Sequence, residues 1–293
     1  MVKRILDRVS KPQESILSAA GIVMVMVVAS RILGLVRQRT LAHFFAPESL
    51  SLYFAAFRLP DTIFEVLIFG TFSSAFIPVF ASYIKKEALS KEAWEVASLT
   101  LNILFVFFGL FALLVFLFAD PIYSILVPKY SYPDRAAVVS LTRILVGAQL
   151  FFVVSYVCTG ILESYRRFFL PAVAPLFYNL GIILGTIALS SKIGLFAPAA
   201  GAVAGALLHL LIQLPTTVRL GLRFRASLNL SHPGVKSIAT LAAPRIVEIS
   251  ILQIVKSIEL RLTSIISLAS LTFYTFANSL YLVPVALFGT SIA

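Results

Sequence analysis

Long apolar runs recur along the whole of this 293-residue chain, and they limit what it can fold into. Most of them reach the roughly 20 residues that a helix needs to cross a bilayer. In lipid, only helices and closed barrels satisfy their own backbone hydrogen bonds. These runs are continuous rather than alternating, so the pattern predicts helices. Eight spans are expected, at about 16–38, 53–83, 94–119, 137–163, 169–190, 196–218, 238–266 and 269–293. Composition agrees: 59 % of residues are hydrophobic and 13 % are charged, against about 45–50 % and about 25 % in soluble domains. The expected fold class is an all-α, polytopic transmembrane bundle with no separate soluble domain. The second run is too long for one straight span, so it tilts, extends past the bilayer, or bends at Pro60 or Gly70.

Charge between the runs sets a topology. Lys3, Arg4, Arg8 and Lys11 precede the first run; Lys85, Lys86 and Lys91 follow the second. Arg166 and Arg167 follow the fourth, and Arg219, Arg223, Arg225 and Lys236 follow the sixth. The alternate connections are poorer, with Lys129 and Arg135, then Lys192. Basic loops stay in the cytoplasm, so the N-terminus is predicted to be cytoplasmic. A signal peptide would also begin with cations and an apolar stretch. Here that stretch continues from Ile16 through Ser30-Arg31 and further spans follow, which predicts an uncleaved first span. The net charge of +11 does not call for nucleic acid, because the cations lie between or inside apolar runs. The stretch Arg219–Lys236 reads either as a basic loop or as a segment lying on the membrane surface. The last apolar run stops at Ala293 without a polar tail, which is the expectation for a truncated chain or a fragment.

Charges inside spans cost roughly 2.5–3.5 kcal/mol each on insertion scales, so their positions carry information. The first span holds Arg31, Arg37 and Arg39; the second holds Arg58, Asp61 and Glu65. Arg143 opens the fourth, and the seventh carries Arg245, Glu248, Lys256, Glu259 and Arg261. Arg37 and Arg39 either snorkel to headgroups or face inward. Arg31 is deeper and harder to explain that way. Guanidinium groups gathered around a cavity would hold a diphosphate through charge-assisted, often bidentate bonds. Asp61 and Glu65, at i and i+4, either form an ion-pair ladder with Arg58 or balance a cationic cavity. Arg245 with Glu248, and Lys256 with Glu259, each stand at i, i+3. They read as self-paired charges or, for Lys256 and Glu259, as part of a coupling-ion site. His209 is expected to hydrogen-bond between helices. Cys158, the one cysteine, leaves no intrachain disulfide and reads as a small buried residue. Metal-ligand spacing, a phosphate-binding loop and a nucleophile elbow are all missing from the sequence, so an enzyme is not expected.

Four segments resemble the MurJ/MviN family of lipid II flippases, within the superfamily of polysaccharide flippases and multidrug exporters. Ser30-Arg31-Ile32-Leu33-Gly34-Leu35-Val36-Arg37 is similar to the family's S-R-x-L-G-x-x-R. Phe54-Ala55-Ala56-Phe57-Arg58-Leu59-Pro60-Asp61, followed by Gly70 to Pro78, is similar to F-x-A-F-[KR]-L-P-N and G-A-F-x-x-A-F-x-P. Arg167 to Pro175 with Asn179 is the third. The fourth is Gln213-Leu214-Pro215 with Phe276-Ala277-Asn278 and Pro284 to Gly289. Order and spacing fit along essentially the whole chain. The resemblance implies a family fold of fourteen spans in two bundles around a cationic cavity. This chain would hold the first six-helix bundle and two helices of the second. Its expected parts are a cytoplasmic tail at 1–15, the first bundle at 16–220, a basic linker at 221–237 and the start of a truncated second bundle at 238–293.

The resemblance also implies a function. It would be a flippase in the bacterial cytoplasmic membrane that moves lipid II, an anionic polyprenyl-diphosphate-linked cell-wall precursor, by alternating access. The family's diphosphate-contacting residues map onto Arg31, Arg37 and Arg58. Asp61 and Glu65 would balance their charge, leaving a net basic cavity. The implied partners are the lipid-linked precursor, membrane lipids and proteins of cell-wall synthesis. No cofactor is expected beyond a coupling monovalent cation or the membrane potential. The sequence departs from the family at Ser51, where an acid is usual. Phe64 and Glu65 stand where an Arg-Arg pair is usual, and Ser279 stands where an arginine is usual. Competing readings are a polysaccharide-precursor flippase and a non-transporting membrane scaffold.

Overall fold

The computed structural model describes residues 16–69, 72–84 and 90–284. The basic tail at 1–15, the bend expected at Gly70, the connection at 85–89 and the motif beyond Pro284 lie outside them. Among the described residues all regular structure is helical: α1 (Ile16–Phe44), α2 (Pro47–Ala56), α3 (Arg58–Phe64), two π-helical stretches (Glu65–Phe69 and Phe72–Phe76), α4 (Ile77–Ile84), α5 (Ser90–Leu126), α6 (Tyr132–Ser164), α7 (Phe169–Ile193), α8 (Phe196–Leu220), α9 (Pro233–Ile266) and α10 (Ser270–Pro284). Five of them, α5 to α9, are long and apolar enough to cross a membrane. The outer face of α5 leaves Phe107, Leu110, Leu114, Phe116 and Leu117 more than half exposed. In water such a face would mark a large binding patch, whereas in lipid its exposure carries no cost. The chain is a multi-pass membrane protein.

The long second run is broken as its length predicts, at a position set by chemistry. α2 ends at Ala56 and α3 starts at Arg58, so Pro60 falls in the first turn of α3. There its missing N–H is not needed. In a continuous helix Pro60 would leave the Ala56 carbonyl, four residues back, without its donor. That carbonyl instead accepts from Thr142 Oγ1 at 2.9 Å and Tyr123 Oη at 3.3 Å, and Tyr123 also donates to the Ala55 carbonyl at 3.0 Å. Tyr123 and Thr142 are fully buried, so the break is tied to the α5–α6 pair near the end where α5 leads into α6. The π-helical stretches then loosen the same run further down, as π-bulges do at functional sites.

α7 and α8 form a hairpin through Gly194, at φ +55°, and Leu195. Their backbones touch. A Cβ on Gly181 would lie 2.4 Å from the Gly205 Cα, and one on Gly185 would lie 2.6 Å from the Gly201 Cα. Gly181-x-x-x-Gly185 and Gly201-x-x-x-Gly205 therefore act as facing small-residue stripes. α6 also packs on α8, and α1 packs on α7.

The connection from Gly221 to His232 runs along the start of α5. Ser98 Oγ donates to the Arg223 carbonyl at 2.9 Å, and Asn102 Nδ2 donates to the Arg225 and Ser227 carbonyls at 2.6 and 2.8 Å. At the far end, Arg261 donates to the Ile125 carbonyl and Ser264 Oγ reaches the Leu126 carbonyl at 3.5 Å. α9 thus runs parallel to α5, with both starts on one side. α9 begins at Pro233, five residues before the expected span, because Pro233 suits the first helical turn and the His232 ring accepts from the Gly234 N–H at 3.1 Å. Cys158 is fully buried, in keeping with a small packing residue.

Candidate functional site

Two adjoining cavities open where α1, α3, α6, α7, α8, α9 and α10 meet. The first, about 490 Å³, is lined by Arg37, Arg58, Asp61, Glu65, Lys256 and Glu259 among aromatic and other neighbours. The second, about 510 Å³, holds Arg31, Arg37 and Glu163. Arg37, Gln38, Tyr156, Tyr178, His209 and Ser279 line both. The structure therefore places Arg37 between Arg58 in one compartment and Arg31 in the other. Arg31 is exposed and Arg37 is half-buried. Arg39 lines neither cavity; it sits beside His43, Phe44 and Ile187 on another face of α1. Of the two arginines for which snorkelling was an alternative, only Arg39 points away from the cavities.

The charge pairing differs from the helix-local expectation. Lys256 Nζ lies 2.6 Å from Glu65 Oε2, across from α9 to the first π-helical stretch, instead of pairing with Glu259 three residues on. The side chain of Lys256 leaves its own helix because a partly buried carboxylate faces it there. Arg245 and Glu248 do pair at i, i+3, at 2.6 Å on an exposed face. Arg58 does not close a ladder with Asp61 either. Its Nη2 donates to Thr62 Oγ1 at 2.7 Å and to Gln253 Oε1. Asp61 Oδ1 accepts from Gln149 Nε2 at 3.0 Å. Two buried atoms at the cavity wall, Arg58 Nε and Gln149 Oε1, have no hydrogen-bond partner.

The lining is charge-balanced rather than net basic. The first cavity has Arg37, Arg58 and Lys256 against Asp61, Glu65 and Glu259; the second adds Arg31 and Glu163. The signs are unevenly spread: Arg31 and Arg37 share the second cavity with one carboxylate, Glu163, while Arg58 and Lys256 stand among Asp61, Glu65 and Glu259 in the first. Such a wall can hold an anion in the second cavity, where no carboxylate other than Glu163 lines the space.

Neutral amides carry much of the wiring, and a reading built on formal charge missed them. Gln253 links Arg58 to Glu65, to which its Nε2 donates at 2.5 Å. Gln38 donates to Ser279, joining α1 to α10 where the two cavities meet. Gln213 accepts from Thr159 Oγ1 at 2.8 Å and donates to Ser155 Oγ at 2.9 Å, and that hydroxyl lies 2.7 Å from His209 Nδ1. His209 thus bonds between α6 and α8, as expected, with Tyr156 stacked on its ring. The available signal was an amide inside an apolar run, which also needs a partner in lipid.

The positions that depart from the family pattern are each built into the fold. Ser51 is fully buried and accepts from the Thr272 N–H at 3.1 Å. Phe64 packs against Phe152 and Tyr156, with ring centres 5.5 and 5.2 Å away. Glu65 and Ser279 hold the partners given above.

The sequence profile of the family described as Lipid II flippase MurJ matches residues 41–293. The chain belongs to the lipid II flippase MurJ family. It is 29 % identical over 279 residues to the probable lipid II flippase MurJ of Buchnera aphidicola, covering 92 % of this chain and 54 % of that protein. It is 27 % identical over 281 residues to the lipid II flippase MurJ of Burkholderia cenocepacia, covering 90 % and 52 %. The chain thus spans about half the length of the curated MurJ relatives it matches. Among solved structures, a lipid II flippase MurJ in an inward closed conformation superposes with a TM-score of 0.76 at 23 % identity, over 91 % of this chain and 55 % of that one. That superposition supports the MurJ fold. Among the described residues no group of three or more His, Cys, Asp or Glu could hold a metal ion.

Proposed function

We propose that this chain works in moving lipid II, or a closely related polyprenyl-diphosphate-linked precursor, across the bacterial cytoplasmic membrane. The observation that carries the reading is the position of Arg37, which lines both cavities between Arg31 and Arg58. A diphosphate passing from one compartment to the other would exchange one guanidinium for the next without meeting bare lipid. Eight spans with a cytoplasmic N-terminus fit the loop charges. α9 and α10 would rock against the first six spans, giving alternating access around the shared cavity. Asp61 and Glu65 would balance the charge and let the anion leave. Lys256 would act through Glu65, and a coupling monovalent cation or the membrane potential would drive the cycle. Lipid-linked precursor, membrane lipids and cell-wall synthesis proteins are the partners this reading implies.

The charge balance of the lining favours a second reading, a flippase-like scaffold that binds its lipid but does not move it. Proteoliposomes separate the two. With fluorescent lipid II placed in both leaflets, the transport reading expects a hydrolase added outside to reach the inner-leaflet pool when the chain is present. Arg37→Ala should remove that access while the protein remains incorporated. Access no faster than in protein-free vesicles, with lipid II still bound, supports the scaffold. No binding at all rejects both.

A further inference from the structure

Gln253 lies on α9 with 3 % of its surface exposed, wedged between two charged side chains of the facing run. Its Oε1 accepts from Arg58 Nη2, and its Nε2 donates to Glu65 Oε2 at 2.5 Å. The chemistry of the neighbours fixes this orientation. A guanidinium only donates and a carboxylate only accepts, so a reversed amide would set donor against donor and acceptor against acceptor. A neutral group therefore occupies the line between Arg58 and Glu65.

The two charges it separates are unequally served. Glu65 has its own cation, Lys256, at 2.6 Å. Arg58 has no carboxylate partner among the described ion pairs. Its remaining bond goes to the Thr62 hydroxyl, and its Nε is buried without a partner. Sharing one amide keeps the polar atoms of Arg58 and Glu65 within about 7 Å, from two hydrogen-bond lengths and the width of the amide. Two long side chains that close, partly buried and of opposite sign would pair if nothing stood between them. Arg58 paired in that way would present no net charge to a ligand.

We propose that Gln253 is a positioning residue that keeps Arg58 from pairing with Glu65, and so keeps its guanidinium available to an anionic ligand in the cavity. The proposal rests on the reading that Arg58 faces the diphosphate of the substrate. It assigns to α9 a specific role in the anion site on α3. Substrate affinity would then depend on α9 staying docked, because withdrawing the amide lets Glu65 neutralise the arginine.

A double-mutant cycle tests it on the purified full chain in nanodiscs, with inorganic pyrophosphate as the probe in titration calorimetry at low ionic strength. Gln253→Met keeps the shape and removes the amide. It should weaken pyrophosphate binding at least tenfold when Glu65 is present, and by less than threefold in a Glu65→Gln background. Equal losses in both backgrounds would mean a packing role only and overturn the proposal. Gln253→Leu provides the same comparison should the methionine variant fail to fold. A structure of Gln253→Met supplies a readout independent of ligand. The Arg58 guanidinium and the Glu65 carboxylate should lie within 4 Å, and a pair still held apart overturns the proposal. Wild-type chain that ignores pyrophosphate, with Arg58 and Glu65 paired in that variant structure, would reject the diphosphate reading and keep the spacer.

Discussion

Lys256 reaches across to Glu65, 2.6 Å away in the first π-helical stretch, and leaves Glu259 on its own helix. The pair joins α9 to the broken second run. With side-chain exposures of 42 % and 27 % the two groups are only partly screened. A coupling of about 1 kcal/mol is expected for such a pair. Lys256→Met and Glu65→Gln should each lower the unfolding temperature in detergent, and the double variant should lose less than the sum. Full additivity would mean that the two side chains do not stabilise one another.

The helices were legible from apolar runs because lipid demands both length and continuity, and α5 to α9 fall where those runs are. A bend near Pro60 was legible as well, but its exact place, at Phe57, was not. Pro60 announces a disturbance, but its position depends on Tyr123 and Thr142, which are 67 and 86 residues from Ala56 and supply the hydroxyls that take its carbonyl. For the site, Arg37 and Arg58 were readable as costly charges. Their wiring through Gln253 and Gln38 was not, because a rule for i, i+3 and i, i+4 pairs cannot see a partner on another helix. Lys256 had acids within reach at Glu259 and, out of sight in the sequence, at Glu65. The Gly181/Gly185 and Gly201/Gly205 spacing was present in the sequence as a signal for close helix approach, and there the α7 and α8 backbones touch.

That packing predicts an asymmetry among glycines. At Gly205 an added methyl would meet the Tyr178 carbonyl oxygen at 2.6 Å, and the obstacle is backbone that cannot swing aside. Gly205→Ala should cost about 1–3 kcal/mol through overpacking of the α7–α8 hairpin. Gly147→Ala, also inside a helix but with nothing within 4 Å of the new methyl, should be neutral or stabilise by up to about 1 kcal/mol. Thermal unfolding of the two variants in detergent checks both signs. Equal effects would mean the hairpin is looser than it looks.

Ser51 predicts a cost confined to the start of α10. Its hydroxyl shares the Thr272 N–H, in the first turn of α10, with the Ala269 carbonyl, each at 3.1 Å, and lies 2.9 Å from Thr272 Oγ1. Ser51→Ala leaves that N–H to the Ala269 carbonyl alone and removes the buried link to Thr272 Oγ1, at a cost of about 0.5–1.5 kcal/mol. Faster amide hydrogen exchange confined to the start of α10 is the expected signature. Exchange unchanged there would mean that the Ala269 carbonyl alone holds the Thr272 N–H.

Cys158 makes a topology test simple. It is the one cysteine and is fully buried, so the natural background should stay unlabelled by an impermeant maleimide. Lys129→Cys and Lys192→Cys are expected to react from outside intact cells, and Arg225→Cys only after the membrane is opened. All three native side chains are exposed, so accessibility depends on side rather than burial. The reverse pattern would invert the orientation and, with it, the direction of transport.

The three arginines should not contribute equally to anion binding. Arg37 lines both cavities, so it can touch a diphosphate in either compartment. Arg58 already gives Nη2 to Thr62 and Gln253, and Arg31 is exposed in the second compartment. A lost charge-assisted hydrogen bond costs about 1.5–3 kcal/mol, or roughly 10- to 150-fold in affinity. Arg37→Gln should therefore weaken pyrophosphate binding to the purified chain toward the upper end of that range, Arg58→Gln by at least about tenfold but less than Arg37→Gln, and Arg31→Gln by less than either. Arg37→Lys keeps the charge but loses the planar fork, so it should recover only part of the affinity. Raising the salt from low to physiological strength should weaken Arg31-dependent binding most, since exposed charges are screened most. If the three glutamine variants bind alike and alter the salt dependence alike, the arginines act only as a diffuse field, and Arg37 has no special place between the compartments.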